Sequence, residues 1–216
     1  MSNPSLQPTR EHSDVSSQDR LPATAAARAA ELASLKVGLR AALRQFPDFP
    51  SPGILFEDIL PIFANPATHA DLLRGLELHL LEHYGDHQKP DVIVGLDARG
   101  FLFGPSLALR LGAAFVPVRK KGKLPGPVET QGYEKEYGTD YFQIQADAVK
   151  PGQKVVIVDD IIATGGSASA AGSLVQKLGG DLLGFVFILE LDFLKGREKL
   201  SAPAYTLLSS QPSSGN

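Results

Sequence analysis

Val155-Val156-Ile157-Val158-Asp159-Asp160-Ile161-Ile162-Ala163-Thr164-Gly165-Gly166-Ser167 reads, in order, as a strand, a pair of acids, a glycine loop and the start of a helix. Val155 to Val158 are β-branched without polar alternation. Such a run suits a strand buried on both faces, as in the middle of a parallel sheet. Asp159 and Asp160 stand where that strand should emerge, and paired glycines follow between Thr164 and Ser167. Ala168, Ala171, Leu174, Val175 and Leu178 then recur at helical spacing until Gly179-Gly180 ends the run. In open α/β sheets ligands bind at the carboxyl ends of the strands. The stretch therefore predicts both the fold class and the place of a site.

The loop also predicts a ligand. Glycines let successive backbone N–H groups converge on one point, and a helix N-terminus adds a positive dipole end. The Thr164 and Ser167 hydroxyls can donate further hydrogen bonds. Ala163, Thr164, Gly165, Gly166 and Ser167 together make a cradle for a phosphate monoester. The aspartates offer acceptors, which suit ribose hydroxyls or a hydrated Mg²⁺. A phosphate cradle beside diol acceptors reads as a ribose 5-phosphate site. Taken alone, Thr-Gly-Gly-Ser is an ordinary turn before a helix, so the buried strand and the acid pair carry the reading. No Gly-Lys-Ser/Thr follows, which excludes a Walker A loop, and the spacing of a dinucleotide fingerprint is absent.

The 216 residues suffice for one α/β domain with a substantial core. A net charge of -3 gives no reason to expect nucleic acid as a partner. No apolar run approaches the roughly 20 residues of a membrane helix. The chain has no cysteine, which excludes disulfides, thiolate catalysis and Cys-ligated zinc.

Residues 1–22 are polar and read as a disordered tail. Glu11, Asp14 and Asp19 disfavour a transit peptide. An alanine-rich helix follows, capped by Thr24 and running to about Arg44, with Leu32, Leu35, Leu39, Ala42, Leu43 and Phe46 as its buried stripe. The prolines at 47, 50 and 52 predict a stiff extended loop as far as Ile59. Phe56 within it reads as core, or as a flat ring stacked on a planar ligand. Asn65-Pro66 opens a helix lined by Leu72, Leu73, Leu76, Leu80 and Leu81 and ended by Gly85. His69, His79, His83 and His87 lie there with no carboxylate cluster to complete a metal site.

Asp91 to Leu96 predicts a second buried strand, followed by Asp97-Ala98-Arg99-Gly100 and a helix to Leu111. Arg99, at a strand end beside a helix start, suits a diphosphate. Ala114 to Val118 predicts a third strand, followed by the cations Arg119, Lys120, Lys121 and Lys123. The long segment from there, basic at one end and acidic-aromatic at Tyr133–Gly138, predicts a lid. Tyr141 to Gln145 alternates as an antiparallel strand does. Leu182 to Glu190 predicts a fourth buried strand, and the Ser-rich end after Leu208 a frayed tail.

The Val155–Ser167 stretch resembles the phosphoribosyl-pyrophosphate (PRPP) motif of type I phosphoribosyltransferases. The resemblance runs from about Phe46 to Leu208 and is specific at five separated places. Phe46-Pro-x-Phe-Pro with Pro52-Gly-Ile-x-Phe56, Gly95 to Pro105, Arg119-Lys120-x-Gly-Lys123-Leu-Pro and Glu134-Lys-Glu136-Tyr137-Gly138 are all similar to adenine phosphoribosyltransferases, the fungal type above all. Leu191 to Leu200 is also family-like and reads as structural. One departure stands in the lid, where Gln131-Gly132 replaces the family's usual Ala-Thr or Ala-Ser.

The resemblance implies a single α/β phosphoribosyltransferase domain over residues 23–210. Its sheet would be mainly parallel and flanked by helices, with a flexible lid and a small hood, and 211–216 would be frayed. It implies transfer of the phosphoribosyl group from PRPP to N9 of adenine, giving AMP and pyrophosphate, with Mg²⁺ held mainly by substrate oxygens and water. Glu136 is the implied acid/base and Tyr137 a lid residue. Arg99, Asp159 and Asp160 join Glu136 in the chemistry. Ala98, Arg99, Arg119, Lys120 and Lys123 are implied to hold pyrophosphate, with a strained or cis peptide near Asp97-Ala98. Leu55, Phe56, Glu57 and Ile161 are implied to hold adenine, Glu57 through its backbone. A cytoplasmic homodimer is implied too, in which Arg119 reaches a partner's site. The alternatives are an enzyme for hypoxanthine, guanine or orotate, and a non-catalytic PRPP-binding regulator.

Overall fold

The computed structural model describes residues 25–49, 52–53, 55–85, 88–135 and 138–209. Helix α1 (Ala25–Ala42) leads into a two-stranded antiparallel sheet of β1 (Arg44–Pro47) and β2 (Leu55–Asp58). Helices α2 (Leu60–Ala64) and α3 (Pro66–Tyr84) follow. Next come β3 (Val92–Leu96), α4 (Gly104–Leu111), β4 (Ala114–Lys120), β5 (Val128–Lys135) and β6 (Gly138–Gln145). The chain ends with β7 (Lys154–Ile162), α5 (Gly166–Lys177), β8 (Asp181–Glu190) and β9 (Ala204–Ser209).

Seven of these strands form one sheet in the order β5-β6-β4-β3-β7-β8-β9. Strands β4, β3, β7, β8 and β9 pair in parallel, while β5 and β6 form an antiparallel hairpin on the edge of β4. All of β3 is buried, as are Val155 to Val158 of β7 and Phe185 to Leu189 of β8. Burying each such side chain contributes about 1.5–3 kcal/mol, so the apolar runs hold the middle of the sheet. Two cores result. One packs Leu39, Ile62, Leu72, Leu76 and Leu80 of the helices, with Phe103 just before α4, against Ile93, Val156 and Ile188. The other packs Leu174 and Val175 of α5 against Val94, Ile157 and Phe187. Alternate residues of the same strands face opposite layers, as the period of a strand requires.

Several expectations change. The prolines at 47 and 52 do not hold the base segment as an extended loop; β1 and β2 flank its turn, and Arg44↔Asp58 to Pro47↔Leu55 pair across it. Phe46, predicted as buried, is 45% exposed there, and only Leu39 of the α1 stripe is fully buried. The predicted helix at 101–111 starts at Gly104, after a 3-10 turn at Arg99–Phe101. The lid segment is largely the β5–β6 hairpin, whose eight paired residues per strand give it regular structure. Strand β7 does not stop before the aspartates but runs through them to Ile162. Strand β9 forms where the sequence was left unassigned, and its Leu207 and Leu208 are buried. Thr24, His87, Glu136, Tyr137 and the segments 1–22 and 211–216 lie outside the described residues. Among the described residues no cluster of His, Cys, Asp and Glu is arranged to hold a metal, and no helix is long and apolar enough to cross a membrane.

Candidate active site

Two loops meet at the carboxyl edge of the sheet because β3 and β7 are neighbours, with Val92↔Val155 to Gly95↔Val158 in register. The loop after β3 carries Arg99. Its Asp97 N donates to Val118 O of β4 at 2.9 Å, and Phe101 N closes a turn on Ala98 O at 3.1 Å. The Asp97-Ala98 peptide is cis, at the place the resemblance implies. Gly100 lies so close to β7 that a Cβ there would stand 2.7 Å from Val158 O. That approach brings Arg99 over the acid pair, and its Nε donates to Asp160 Oδ2.

Asp160 is 6% exposed, while the Arg99 side chain is 53% exposed. The acid is thus fixed and the guanidinium stays open to an anion. Asp159 Oδ1 accepts from Asp160 N at 3.0 Å. Burial, and then the neighbouring Asp160 carboxylate, push the Asp159 carboxyl well above the usual carboxylate range. A second acid–base pair sits beside the first. Arg119 Nε donates to Asp97 Oδ2 at 3.1 Å and Nη1 to Lys123 O at 3.3 Å, with the guanidinium 6.0 Å from the Phe101 ring centre. Arg119 therefore lies against its own chain's cavity.

The loop after β7 has a different character. Gly165 takes φ +76°, which turns the chain into α5. Ser169 N makes the first helical bond, on Gly165 O at 2.9 Å. The amides of Gly166, Ser167 and Ala168 precede that ladder and are open to a ligand oxygen. Acidic residues are absent from the first turn, so nothing there competes with a phosphate.

The two loops enclose a cavity of two adjoining lobes. A lobe of about 290 Å³ is lined by Asp159 to Ala168, with Asp97, Arg99, Lys120, Tyr133, Phe142 and Phe187. A lobe of about 430 Å³ is lined by Asp97, Ala98, Arg99, Arg119, Lys120, Lys123, Asp159 and Asp160. Only the first has the backbone amides and hydroxyls of the β7 loop, and only the second has Arg119 and Lys123. Asp97, Arg99, Lys120, Asp159 and Asp160 belong to both.

The structure brings together most residues singled out in the sequence: Ala98, Arg99, Arg119, Lys120, Lys123, Asp159, Asp160, Ile161 and the whole of Ala163–Ser167. Leu55, Phe56 and Glu57 line neither lobe. Leu55 is 46% exposed, Phe56 meets Phe49 edge-on at 5.0 Å, and Glu57 Oε1 accepts from Arg40 Nη1 at 3.1 Å. Sequence reading missed Phe187, Phe142 and the Asp97–Arg119 pair. Phe187 sits in a run that reads as buried strand and Phe142 in one that reads as an alternating antiparallel strand, and neither pattern hints that a ring lines a cavity.

Comparison with known proteins agrees with this geometry. The family model of the phosphoribosyl transferase domain matches residues 63–215. The adenine phosphoribosyltransferase of Yarrowia lipolytica is 64% identical over 180 residues, which cover 83% of this chain and 98% of that protein. The crystal structure of adenine phosphoribosyltransferase from Saccharomyces cerevisiae, complexed with D-2,5-dideoxy-2,5-imino-altritol 1,6-bisphosphate and adenine, superposes with a TM-score of 0.79. It is 60% identical and covers 82% of this chain and 99% of its own. The Trypanosoma brucei enzyme in complex with AMP, pyrophosphate and ribose-5-phosphate superposes at 0.72 with 28% identity, over 81% of this chain and 79% of its own. Sequence and fold agree, and the chain belongs to the type I phosphoribosyltransferase family, among the adenine phosphoribosyltransferases.

Proposed function

We propose that the chain transfers the 5-phosphoribosyl group of PRPP to N9 of adenine, giving AMP and pyrophosphate. The observation that supports this best is the double-lobed cavity, in which the Ala163–Ser167 cradle and the cations Arg99, Arg119, Lys120 and Lys123 gather around Asp159 and Asp160. In the reaction the C1′–O bond to pyrophosphate breaks and its electron pair leaves with the diphosphate. The C1′–N9 bond forms, and the N9 proton departs. C1′ becomes oxocarbenium-like in between.

Ala163–Ser167 hold the 5-phosphate, and Asp159 and Asp160 accept from the ribose hydroxyls, fixing C1′ for in-line attack. Arg99, Lys120, Lys123 and Arg119 stabilise the charge that grows on the leaving diphosphate. Arg99 releases Asp160 as it takes up the diphosphate, so the cation and the acid become available together. Glu136 serves as the acid/base that accepts the N9 proton, with Tyr137 as a lid residue. Leu55, Phe56 and Glu57 close over adenine from the β1–β2 hood, with Ile161 on the opposite side. Because Arg40 holds the Glu57 carboxylate, Glu57 acts on the base through its backbone.

No three acids among the described residues are grouped to hold a metal themselves, which fits an Mg²⁺ that would arrive held by substrate oxygens and water, with Asp159 and Asp160 near its water shell. When bound, it supplies charge neutralisation at the diphosphate. The same reading makes residues 23–210 the catalytic unit of a cytoplasmic homodimer.

A turnover panel of adenine, hypoxanthine, guanine and orotate with PRPP and Mg²⁺ tests the proposal. Adenine should be used with strong preference. Preferred use of hypoxanthine would overturn the base assignment, and PRPP binding without AMP formation would make the chain a regulator.

A further inference from the structure

The segment Leu191–Leu200 has no part in the mechanism above, yet it is built against the phosphate loop. Its Gly196 and the loop's Gly165 are in backbone contact. A Cβ on Gly165 would stand 2.2 Å from Gly196 O, and a Cβ on Gly196 would stand 2.2 Å from Ala163 O and 2.9 Å from Gly165 N. No side chain fits between the two strips of backbone, so the position of residue 196 sets how far the loop can fall back from the cavity.

What holds residue 196 is the next side chain. Arg197 Nε donates to both Glu190 oxygens, at 2.7 and 2.8 Å, and Nη2 donates to Glu190 Oε2 and, at 2.7 Å, to Thr206 Oγ1. Arg197 Nη1 donates to Ala204 O, and the Thr206 hydroxyl donates to Glu190 Oε2 at 3.0 Å. Glu190 is 8% exposed. One guanidinium therefore ties the end of β8, the turn at Gly196–Lys199 and the edge strand β9 into one block. Leu191 N donates to Ile162 O at 2.9 Å, which anchors the block one residue before the loop begins.

We infer that Glu190–Arg197–Thr206 is a positioning clamp, which acts through Gly196 to hold the 5-phosphate loop in its binding shape. Arg197 and Glu190 line neither lobe of the cavity; they act through backbone. The inference rests on the proposed reading of Ala163–Ser167 as the 5-phosphate site.

The test uses full-length wild type, Gly196→Ala and Arg197→Lys, each measured for KM and kcat with PRPP and adenine, for AMP binding by calorimetry, and for Tm. Gly196→Ala removes no ion-pair partner and presses on Ala163 O, Gly165 N and the Ile162 side chain at the end of β7. It should raise KM for PRPP and weaken AMP binding about tenfold or more, with KM for adenine changed less than about twofold. Arg197→Lys keeps the charge and loses the fork, so it should shift the same two quantities in the same direction by a smaller factor. A fall in Tm with KM for PRPP and AMP affinity unchanged in both variants would overturn the clamp and leave a purely structural ion pair. Equal changes in the constants for PRPP and adenine would overturn it too. Failure of wild type to bind AMP or use PRPP would instead refute the site assignment, so the two failures are distinguishable.

Discussion

The loops after β3 and β7 sit side by side at the same sheet edge and offer opposite kinds of donor to the anions of the proposed reaction. The β3 loop presents a side chain, Arg99, held over Asp160 and 53% exposed. The β7 loop presents backbone, with Gly165 at φ +76° and amides ahead of the helical ladder. A guanidinium carries its own geometry and needs only to be aimed. A backbone cradle has no geometry apart from the chain that holds it, and here that chain is pressed against Gly196. The difference suits the two tasks. In the proposed reaction a leaving diphosphate gains charge in the transition state, which side-chain cations are suited to stabilise. A 5-phosphate stays unchanged, which a backbone cradle is suited to hold.

The largest test of this contrast falls on Asp159 and Asp160, which line both lobes. Asp159→Asn with Asp160→Asn should lower turnover by about a thousandfold or more, because ribose acceptors and the rest position of Arg99 go together. Circular dichroism melting should change little, and a large loss of Tm would turn the pair into a structural feature. Gly165→Ala comes next. A Cβ at that φ and 2.2 Å from Gly196 O should raise KM for PRPP about a hundredfold and weaken AMP binding alongside it. Arg99→Lys should separate the two loops most cleanly. It should lower kcat about tenfold to a hundredfold while AMP, which lacks the diphosphate, binds within about twofold of wild type by calorimetry. Parallel loss of AMP binding would break the division between the lobes. Thr164→Val removes one donor from the cradle and should weaken AMP and PRPP equally, by about 1 kcal/mol.

The smallest effect lies away from both loops. His79 stacks on Tyr205 at the far side of the sheet, and burial, followed by the charges of His83 and Lys36, lowers its pKa from 6.5 to about 4. A histidine with a depressed folded pKa contributes stability that is present above pH 6.5 and is lost as pH falls toward 4. His79→Phe should remove that acid loss, visible as a flatter Tm profile across the window, and leave kcat/KM for both substrates unchanged. A changed KM would show that this face and the cavity are not independent.

The same contrast explains what could be read in the sequence. Strands β3, β7 and β8 were legible because a parallel strand buried on both faces writes itself as a continuous apolar run. The cradle was legible because backbone recognition requires glycine, and Arg99 because a cation at a strand end is conspicuous. The hood was misread: prolines at 47 and 52 indicate stiffness but not that β1 and β2 would pair around them. Strand β9 was missed because Ala204 to Leu208 is short, and an edge strand next to polar residues has no strong period. The support under the cradle was illegible for a different reason. The spacing of Gly165 and Gly196 along the chain says nothing about a contact that exists only once β8 returns beside β7.

The strand order also has a consequence for how the protein comes into being. β3 and β7 are adjacent in the sheet, but β7 begins at Lys154, after β4, β5 and β6 have been made. A growing chain shorter than that contains the diphosphate loop and no partner for it. The block that backs the cradle comes later still, with β9 near the end of the chain. Closing such long loops is slow and is rewarded only when the final contacts form. Ligand binding therefore cannot accumulate gradually during synthesis; it arrives with the last strand, and from then on PRPP or AMP draws the folding equilibrium toward the finished molecule by mass action.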